Sequence, residues 1–355
     1  MTELVPSDAY GDESARPGSP GRSSGFTRFD RILRGRVLAQ LGALRQGHVI
    51  LEDACGVMEL GQPTRYPPVH IRVTDPAFYR AVAAGGSVGA GEAYMAGHWC
   101  CDDLVSLVRA LVRDRDLLDG METGWARLGG WLLRSWHRLR PNTVAGSRRN
   151  IAAHYDLGNT FFALFLSPDL MYSSAYWQGE HDRLSSASTR KLEVICCRLE
   201  LSPQDHLLEI GTGWGALAVH AATRYGSRVT TATISREQYT AACEKVASAG
   251  VSDRVTVLLE DYRNLTGCYD KLVSIEMIEA VGAGHLGTYF GQVGRLLKPD
   301  GLALIQAITI EDHRYDQALR AVDFIKRHVF PGSFIPSIQA LLAAKTRVSD
   351  LGLLY

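Results

Sequence analysis

The chain has 355 residues, of which 46% are hydrophobic and 21% charged, and its 38 basic side chains equal its 38 acidic ones. Such a balance gives no global field toward a polyanion, so nucleic acid is not a predicted partner. Because single hydrophobic cores stop growing at about 250 to 300 residues, the length predicts two domains.

The N-terminal residues 1–25 are acidic and rich in proline, glycine and serine, where a secretory signal would carry basic residues and an apolar run. We expect this segment to be a disordered tail. Seven cysteines without a CxxC pair indicate reduced thiols and a cytoplasmic protein. Since no apolar run approaches the roughly 18 residues that span a bilayer, membrane contact is predicted to be peripheral, at the inner face.

Residues 26–120 predict a small α+β domain of short elements. HVILED and VHIRVTD have the pattern of strands. Helical spacing is found in three segments, FYRAVAA, GEAYMAG and DLVSLVRALVRD.

Residues 121–150 predict a basic amphipathic helix followed by a linker. In GWARLGGWLLRSWHRLRP the tryptophans and leucines recur at helical spacing, and the arginines lie mostly elsewhere on the helix. One interpretation places the tryptophans in a lipid headgroup layer. The other packs them against protein between two domains. The glycines at 129 and 130 favour the second, since each costs an isolated helix about 1 kcal/mol relative to alanine.

Residues 151–355 alternate apolar strands with amphipathic helices. This order is typical of a parallel sheet covered on both faces, an α/β Rossmann-like fold. The predicted strands are HLLEIG, RVTTATI, VTVLLE, KLVSIE and GLALIQAIT, and the predicted helices are RKLEVICCRLEL, ALAVHAATRYG, EQYTAACEKVASAG and LGTYFGQVGRLL.

The first of these strands ends in a glycine-rich turn that predicts a ligand site. Glu209 precedes Gly211, Gly213 and Gly215, whose spacing differs from the GxGxxG of dinucleotide folds. Glycines let the backbone approach a ligand at the carboxyl end of the strand, and the acid suits an ammonium group. S-adenosylmethionine (SAM) is such a ligand, and a purely structural tight turn is the alternative.

Polar residues after the next two strands extend the predicted cofactor site. The second strand carries no terminal acid but offers Thr233, Ser235 and Gln238, although Ser235 equally suits a helix N-cap. After the third strand, Asp261 and Tyr262 stand where an adenine contact falls, with a surface turn as the alternative.

Taken together, ordered motifs from about Arg148 to Ser337 make the chain resemble the cyclopropane fatty acid synthase family, with its phospholipid and mycolic acid branches. GEAYMAGHWCCDDL is similar to the front domain of phospholipid-acting members, which implies a lipid-facing role for residues 26–120. The resemblance implies a class I SAM methyltransferase that methylates the cis double bond of phospholipid acyl chains, giving cyclopropane, methylene or methyl-branched products. The sequence leaves open whether the protein forms a homodimer. The motifs are HYDLGNTFFALFL, MYSSAYW, LEIGTGWG, TISREQ, EDYR, EMIEAVG and FPGSFIPS.

The same resemblance implies roles for individual residues. Glu279 matches the acid that holds a bound bicarbonate, thought to be the family's base, and Ile308 matches a backbone contact to it. Ser174 and Gln306 stand where the family usually has cysteine and histidine, so the anion site is expected to be weakened or altered. The positions that match cofactor contacts are Tyr172, Ser173, Gly211, Gly213, Gly215, Thr233 and Gln238.

Several alternatives remain at this level. Ser173 and Ser174 could instead be hydroxyls at a helix end. His154 is interpreted as structural, and Asp156 and Asn159 are expected to cap a turn. The insert after Gln306 is expected to line an acyl channel or to pack as ordinary core through Phe324, Ile325, Val329 and Phe330.

The end of the chain adds a further expectation. Family members continue past LGLLY with another strand pair, so we expect a C-terminally truncated chain whose sheet lacks a final antiparallel strand. Two rival functions follow: methylation of a soluble small molecule, and an inactive relative that binds lipid or SAM.

Overall fold

The computed structural model describes residues 26–114, 146 and 158–354. The chain divides into two compact units, Met1–Gly129 and Gly130–Tyr355. The predicted tail, almost all of the predicted amphipathic helix and linker, and the HYD sequence with His154 and Asp156 lie outside the described residues. Within the described residues, no helix is long and apolar enough to cross a bilayer.

The N-terminal unit is built on a four-stranded sheet of order β2-β1-β3-β4. Strand β1 pairs antiparallel with β2 and parallel with β3, and β3 pairs antiparallel with β4. Its elements are α1 (Arg28–Gly42), β1 (His48–Asp53), β2 (Gly56–Gly61), β3 (Val69–Val73), α2 (Ala77–Met95), β4 (Trp99–Cys101) and α3 (Leu104–Arg113).

Both predicted strands and the last predicted helix of this unit are present. The two other predicted helices lie on either side of a break within α2, where Gly86 leaves the helical conformation at φ 55°. A positive φ is accessible to glycine without the steric penalty that a side chain brings. Helix α1, absent from the sequence prediction, begins with a capping box in which Thr27 and Asp30 satisfy each other's backbone amides.

The second unit contains a five-stranded parallel sheet of order β7-β6-β5-β8-β9. The predicted strands are all confirmed. The elements are α4 (Asn159–Ala163), α5 (Leu184–Arg198), β5 (His206–Ile210), α6 (Ala216–Arg224), β6 (Arg228–Thr233), α7 (Arg236–Ser248), β7 (Val255–Leu259), β8 (Tyr269–Ile275), α8 (Leu286–Leu296), β9 (Leu297–Gln306), α9 (Asp312–Arg320) and α10 (Ile338–Val348).

Successive residues of the central strand explain the two covered faces. Leu207 packs in the core under α5 and α6, and Leu208 packs in the core under α8 on the other face. A strand buried on both sides is apolar at every position, as HLLEI nearly is. Since all five strands run in one direction, the loops after β5, β6, β7, β8 and β9 meet at a single edge, where ligands bind in such sheets.

Candidate active site

The turn after β5 places three glycines in left-handed or otherwise positive φ conformations. Gly211, Gly213 and Gly215 have φ values of 101°, 52° and 81°. A Cβ on Gly215 would lie 3.1 Å from the Cβ of Ala242 in α7, and a Cβ on Gly211 would lie 3.2 Å from the Met277 side chain. The turn therefore requires glycine for its backbone and is tightly packed at two of the three positions.

Glu209 lies one residue before the end of β5 and is buried, with 4% of its surface exposed. Its Oε2 accepts a hydrogen bond of 2.6 Å from the Thr231 hydroxyl, whose oxygen also lies 2.7 Å from the Thr212 hydroxyl. Burial raises the pKa of Glu209 to about 8. A cation at the glycine turn would stabilise the ionised carboxylate, so the residues present fit a ligand ammonium.

Thr233, Ser235 and Gln238 form a buried cluster at the end of β6. The Thr233 hydroxyl donates to Oε1 of Gln238 over 2.9 Å. Ser235 is the N-cap of α7 and accepts from the Gln238 amide. The N-cap alternative for Ser235 is therefore confirmed, and Thr233 and Gln238 are held in fixed positions at the ligand-binding edge.

Asp261 follows β7 and is not part of an exposed surface turn, since only 1% of its surface is exposed. Arg263 donates to both of its carboxylate oxygens, over 2.8 and 2.7 Å. The hydroxyl of the next residue, Tyr262, is buried and has no hydrogen-bond partner among the described residues. The described residues therefore leave the hydrogen-bonding capacity of the Tyr262 hydroxyl unused, whereas both oxygens of Asp261 are engaged by Arg263.

An aromatic cluster surrounds Tyr172, which lies in an irregular segment and not at a helix end. Its ring centroid is 5.3 Å from that of Phe162, and the Phe330 ring stacks on it at 6.1 Å with an interplanar angle of 19°. Phe162 also contacts the buried Trp214 of the glycine turn, at 5.2 Å. The insert after β9 therefore contributes Phe330 to an apolar wall beside the turn.

Asn159 does not cap a turn, so that expectation is wrong. It lies in the first turn of α4, whose N-cap is Gly158, and its Oδ1 accepts a hydrogen bond of 2.8 Å from the Trp214 indole. The side chain thus fixes the tryptophan of the glycine turn.

Ser173 accepts a hydrogen bond from the ammonium of Lys191 in α5. Lys191 is buried, and burial lowers its pKa to about 8 although the charge of Glu276 opposes the shift. A buried amine beside a predicted cofactor contact fixes the direction of the Ser173 hydroxyl. The sequence analysis missed Lys191 because it lies within an ordinary amphipathic helix.

Ser174 and Gln306 meet at the carboxylate of Glu276, which follows β8. The Ser174 backbone amide and hydroxyl donate to Oε1 of Glu276 over 2.9 and 2.8 Å. The Gln306 amide nitrogen donates to the same oxygen over 2.7 Å and to the Ser174 hydroxyl over 2.9 Å. Ser173 and Ser174 are therefore not helix-end hydroxyls, and Glu276 is a site residue that the sequence analysis missed.

Glu279 and Ile308 also contact each other directly. The Ile308 amide donates to Oε1 of Glu279 over 2.5 Å, whereas Oε2 is buried and has no hydrogen-bond partner among the described residues. Burial raises the pKa of Glu279, and the charge of Glu276 raises it further. Two carboxyl groups that influence each other thus lie at one edge of the sheet.

The structure brings the predicted catalytic and cofactor positions to one end of the sheet. Met277, next to Glu276, packs on Gly211, which joins the polar cluster to the glycine turn. Among the proposed channel residues, Phe330 contacts Tyr172, whereas Ile325 has 51% of its surface exposed.

Comparison with known proteins adds a family. Residues 143–353 match the profile of the family described as mycolic acid cyclopropane synthetase. The chain is 37% identical over 296 residues to the tuberculostearic acid methyltransferase of Mycobacterium tuberculosis, covering 78% of this chain and 66% of that protein. It is 37% identical over 276 residues to the cyclopropane-fatty-acyl-phospholipid synthase of Escherichia coli, covering 77% and 69%. The chain thus spans about two thirds of the length of these relatives.

Solved structures agree with the predicted fold. The cyclopropane synthase MmaA2 from Mycobacterium tuberculosis matches with a TM-score of 0.54 and 27% identity, over 59% of this chain and 76% of that one. The mycolic acid cyclopropane synthase CmaA1, complexed with SAH and CTAB, matches with a TM-score of 0.52 and 30% identity, over 56% and 73%. The predicted α/β class I methyltransferase fold is confirmed.

Proposed function

Because the chain belongs to the mycolic acid cyclopropane synthetase family, we propose that it is a SAM-dependent C-methyltransferase acting on the cis double bond of unsaturated phospholipid acyl chains. One observation carries the proposal: a glycine turn suited to an amino-acid ligand, an aromatic wall and a carboxylate cluster share one edge of the sheet. The names of the relatives from Escherichia coli and Mycobacterium tuberculosis support an acyl substrate.

The cofactor is held by residues already described. Gly211, Gly213 and Gly215 bring backbone close to the ligand, and Glu209 receives its ammonium. Tyr172 and Ser173 contact it from the other side, where Lys191 orients the Ser173 hydroxyl. The polar groups that remain for the ribose and adenine are Thr233, Gln238, Asp261 and Tyr262. When bound, SAM supplies an electrophilic methyl group.

The site also suits a weakly nucleophilic alkene. An alkene reacts only when it is held in line with the methyl group in a water-poor chamber. The rings of Phe162, Tyr172 and Phe330 provide apolar contact for an acyl chain. Cyclopropane and methylene products both require loss of one proton, whereas a methyl branch requires a reductant in addition.

Expression in a bacterial host without such enzymes tests the proposal. Gas chromatography and mass spectrometry of fatty acid methyl esters should show unsaturated chains that have gained one CH₂, and the fragmentation distinguishes a ring from a methylene group. The Glu279→Gln variant serves as the control. Binding of S-adenosylhomocysteine without any lipid product would indicate an inactive relative, and methylation confined to soluble compounds would indicate a different substrate class.

We further propose that the chain associates peripherally with the cytoplasmic face of an anionic membrane through helix α3. Four apolar side chains of this helix are exposed, and Arg109 and Arg113 are exposed beside them. The Arg113 guanidinium also lies 4.1 Å from the centroid of the exposed Tyr66 ring. Apolar and basic groups in this arrangement suit a headgroup layer. The apolar side chains are Leu104, Val105, Val108 and Val112.

Vesicle flotation tests this surface with a matched pair of variants. Val108→Glu should reduce binding to phosphatidylglycerol vesicles, because it places a negative charge within the apolar and basic surface of α3. Val57→Glu changes an exposed valine of strand β2, away from α3 in the sequence, and should leave binding unchanged. Equal effects of the two substitutions would contradict the assignment to α3.

A further inference from the structure

The carboxylate of Glu276 lies where the family resemblance places a bound anion. Three donors converge on its Oε1: the Ser174 amide, the Ser174 hydroxyl and the Gln306 side chain, at 2.7 to 2.9 Å. These two residues were predicted to line a bicarbonate pocket. A bicarbonate could use them only after displacing a carboxylate that already accepts all three hydrogen bonds.

The backbone donor predicted to contact bicarbonate from the other side already has a hydrogen-bond partner as well. The Ile308 amide, predicted to contact bicarbonate, donates to Glu279 instead. A bicarbonate between Glu276 and Glu279 would also meet like charge, and the raised pKa of Glu279 already records that repulsion together with burial. The residues present therefore do not fit a bound bicarbonate.

We propose that the Glu276 carboxylate is itself the proton acceptor of the reaction, in place of bicarbonate, a proposal that rests on the proposed function. Its Oε2 accepts no hydrogen bond from the residues that the structure describes, so it is free to receive a proton. Glu276 also acts on the pKa of Tyr172 in the aromatic wall and of the buried Lys191. The carboxylate is thus near enough to the predicted substrate wall and to the buried amine to act electrostatically on both.

The backbone of Glu276 supports a functional role for this side chain. Its φ is 44°, in the left-handed region that is unfavourable for a residue with a Cβ, and its amide donates to the Gln306 carbonyl over 2.8 Å. Such strain persists where the surrounding structure fixes it, and it concentrates at functional sites. Here it accompanies a carboxylate that is turned toward Ser174 and Gln306.

The proton step balances without another reactant. After methyl transfer the acyl chain carries a positive charge on the carbon next to the methylated one. A C–H bond of the new methyl group breaks, its electron pair closes the ring, and the proton passes to Glu276. If a hydride first moves from the methylated carbon to its neighbour, the positive charge lies on the methylated carbon, and the same electron pair forms the C=CH₂ bond of a methylene branch instead. The protonated carboxyl then returns its proton to solvent.

Two variants distinguish the loss of the Glu276 carboxylate from a general disturbance of the fold. Glu276→Gln keeps the size and an acceptor oxygen but removes the base. Glu276→Gly removes the carboxylate and relieves the positive φ, so we expect it to fold. Wild-type turnover should be independent of bicarbonate in carbon-dioxide-depleted buffer. Glu276→Gln should lose at least about 100-fold in kcat, the usual contribution of a general base, with binding of S-adenosylhomocysteine retained. Added bicarbonate or formate should partly restore Glu276→Gly only.

Binding of ¹³C-bicarbonate, followed by NMR line broadening, provides a readout that needs no turnover. We expect no binding to the wild type and binding to Glu276→Gly. Wild-type binding of bicarbonate, wild-type activity that depends on it, or an active Glu276→Gln variant would each overturn the proposal. A wild type without lipid products would overturn the proposed function and the base role together, whereas the binding comparison would still decide whether Glu276 fills the anion position.

Discussion

Binding of S-adenosylhomocysteine should become about tenfold tighter for each pH unit from about pH 6 to about pH 8. Glu209 is buried at the glycine turn, and burial raises its pKa to about 8. Below that pH the unliganded protein carries a proton on Glu209, which a ligand ammonium must displace. Each pH unit below the pKa therefore costs binding about 1.4 kcal/mol.

Isothermal titration calorimetry in two buffers of different ionisation enthalpy measures both the affinity and the number of protons released on binding. We expect release of close to one proton on binding at about pH 6.5. Glu209→Gln is the matched control, and it should bind more weakly at pH 8, release no proton and show no pH dependence. A wild-type affinity that does not change with pH, without proton release, would refute the pairing of the ligand ammonium with Glu209.

The same shift affects stability in the absence of ligand. Because the folded state holds a proton on Glu209 that the unfolded state releases near pH 4.5, the protonated carboxyl contributes stability that is present below pH 4.5 and is lost as pH rises toward about 8. Urea unfolding of the unliganded protein should show this slope, and Glu209→Gln should reduce it.

Two further predictions concern the free energy of unfolding, measured with urea. Gly215→Ala should lower the free energy of unfolding by about 2 kcal/mol, because φ is 81° and the new Cβ would meet Ala242. Gly291→Ala, within α8 where a Cβ would meet no other atom, should raise it by about 0.5 to 1 kcal/mol. An equal effect at the two glycines would contradict the packing argument. Lys191→Met should raise the free energy of unfolding at pH 7 by about 2 kcal/mol, because burial lowers the pKa of this amine to about 8 and its charged form is therefore costly in the folded state. The wild type should gain stability between about pH 8 and pH 10.5, and the Lys191→Met variant should lack that gain. As a control, Lys298→Met changes an exposed lysine and should shift the free energy of unfolding by less than about 1 kcal/mol. If Lys191→Met destabilised the protein, the argument that the buried charge of Lys191 is costly would be refuted.

Burial explains which parts of the fold were predictable. The five parallel strands are apolar runs, because residues such as Leu207 and Leu208 are buried on opposite faces. Strand β2 has no fully buried residue and β4 has only three residues, so neither leaves a clear periodic pattern. Helix α1 did carry a signal, since Thr27 and Asp30 have the spacing of a capping box.

The sequence predicted which residues lie in the site but not which of them donate hydrogen bonds to one another. The family resemblance assigned Ser174, Glu279 and Gln306 to one anion site, and the structure brings them to one edge of the sheet. The resemblance could not show that Ile308 would donate to Glu279, because that contact joins residues 29 positions apart. Glu276 was inconspicuous for a further reason: its side chain reaches Ser174 from a left-handed backbone conformation that sequence patterns do not predict for glutamate.

Residues 174, 276 and 306 therefore act as one unit. A serine hydroxyl and a carboxamide donate hydrogen bonds without titrating near neutral pH, which suits a fixed carboxylate better than a diffusible anion. Returning Gln306 to histidine alone would place a ring nitrogen against an occupied oxygen of Glu276 and would create no bicarbonate site. Removing Glu276 alone would leave three donors directed at one point, where an added anion can bind. The proposed identity of the base thus depends on residue 276, to which both substituted neighbours donate hydrogen bonds.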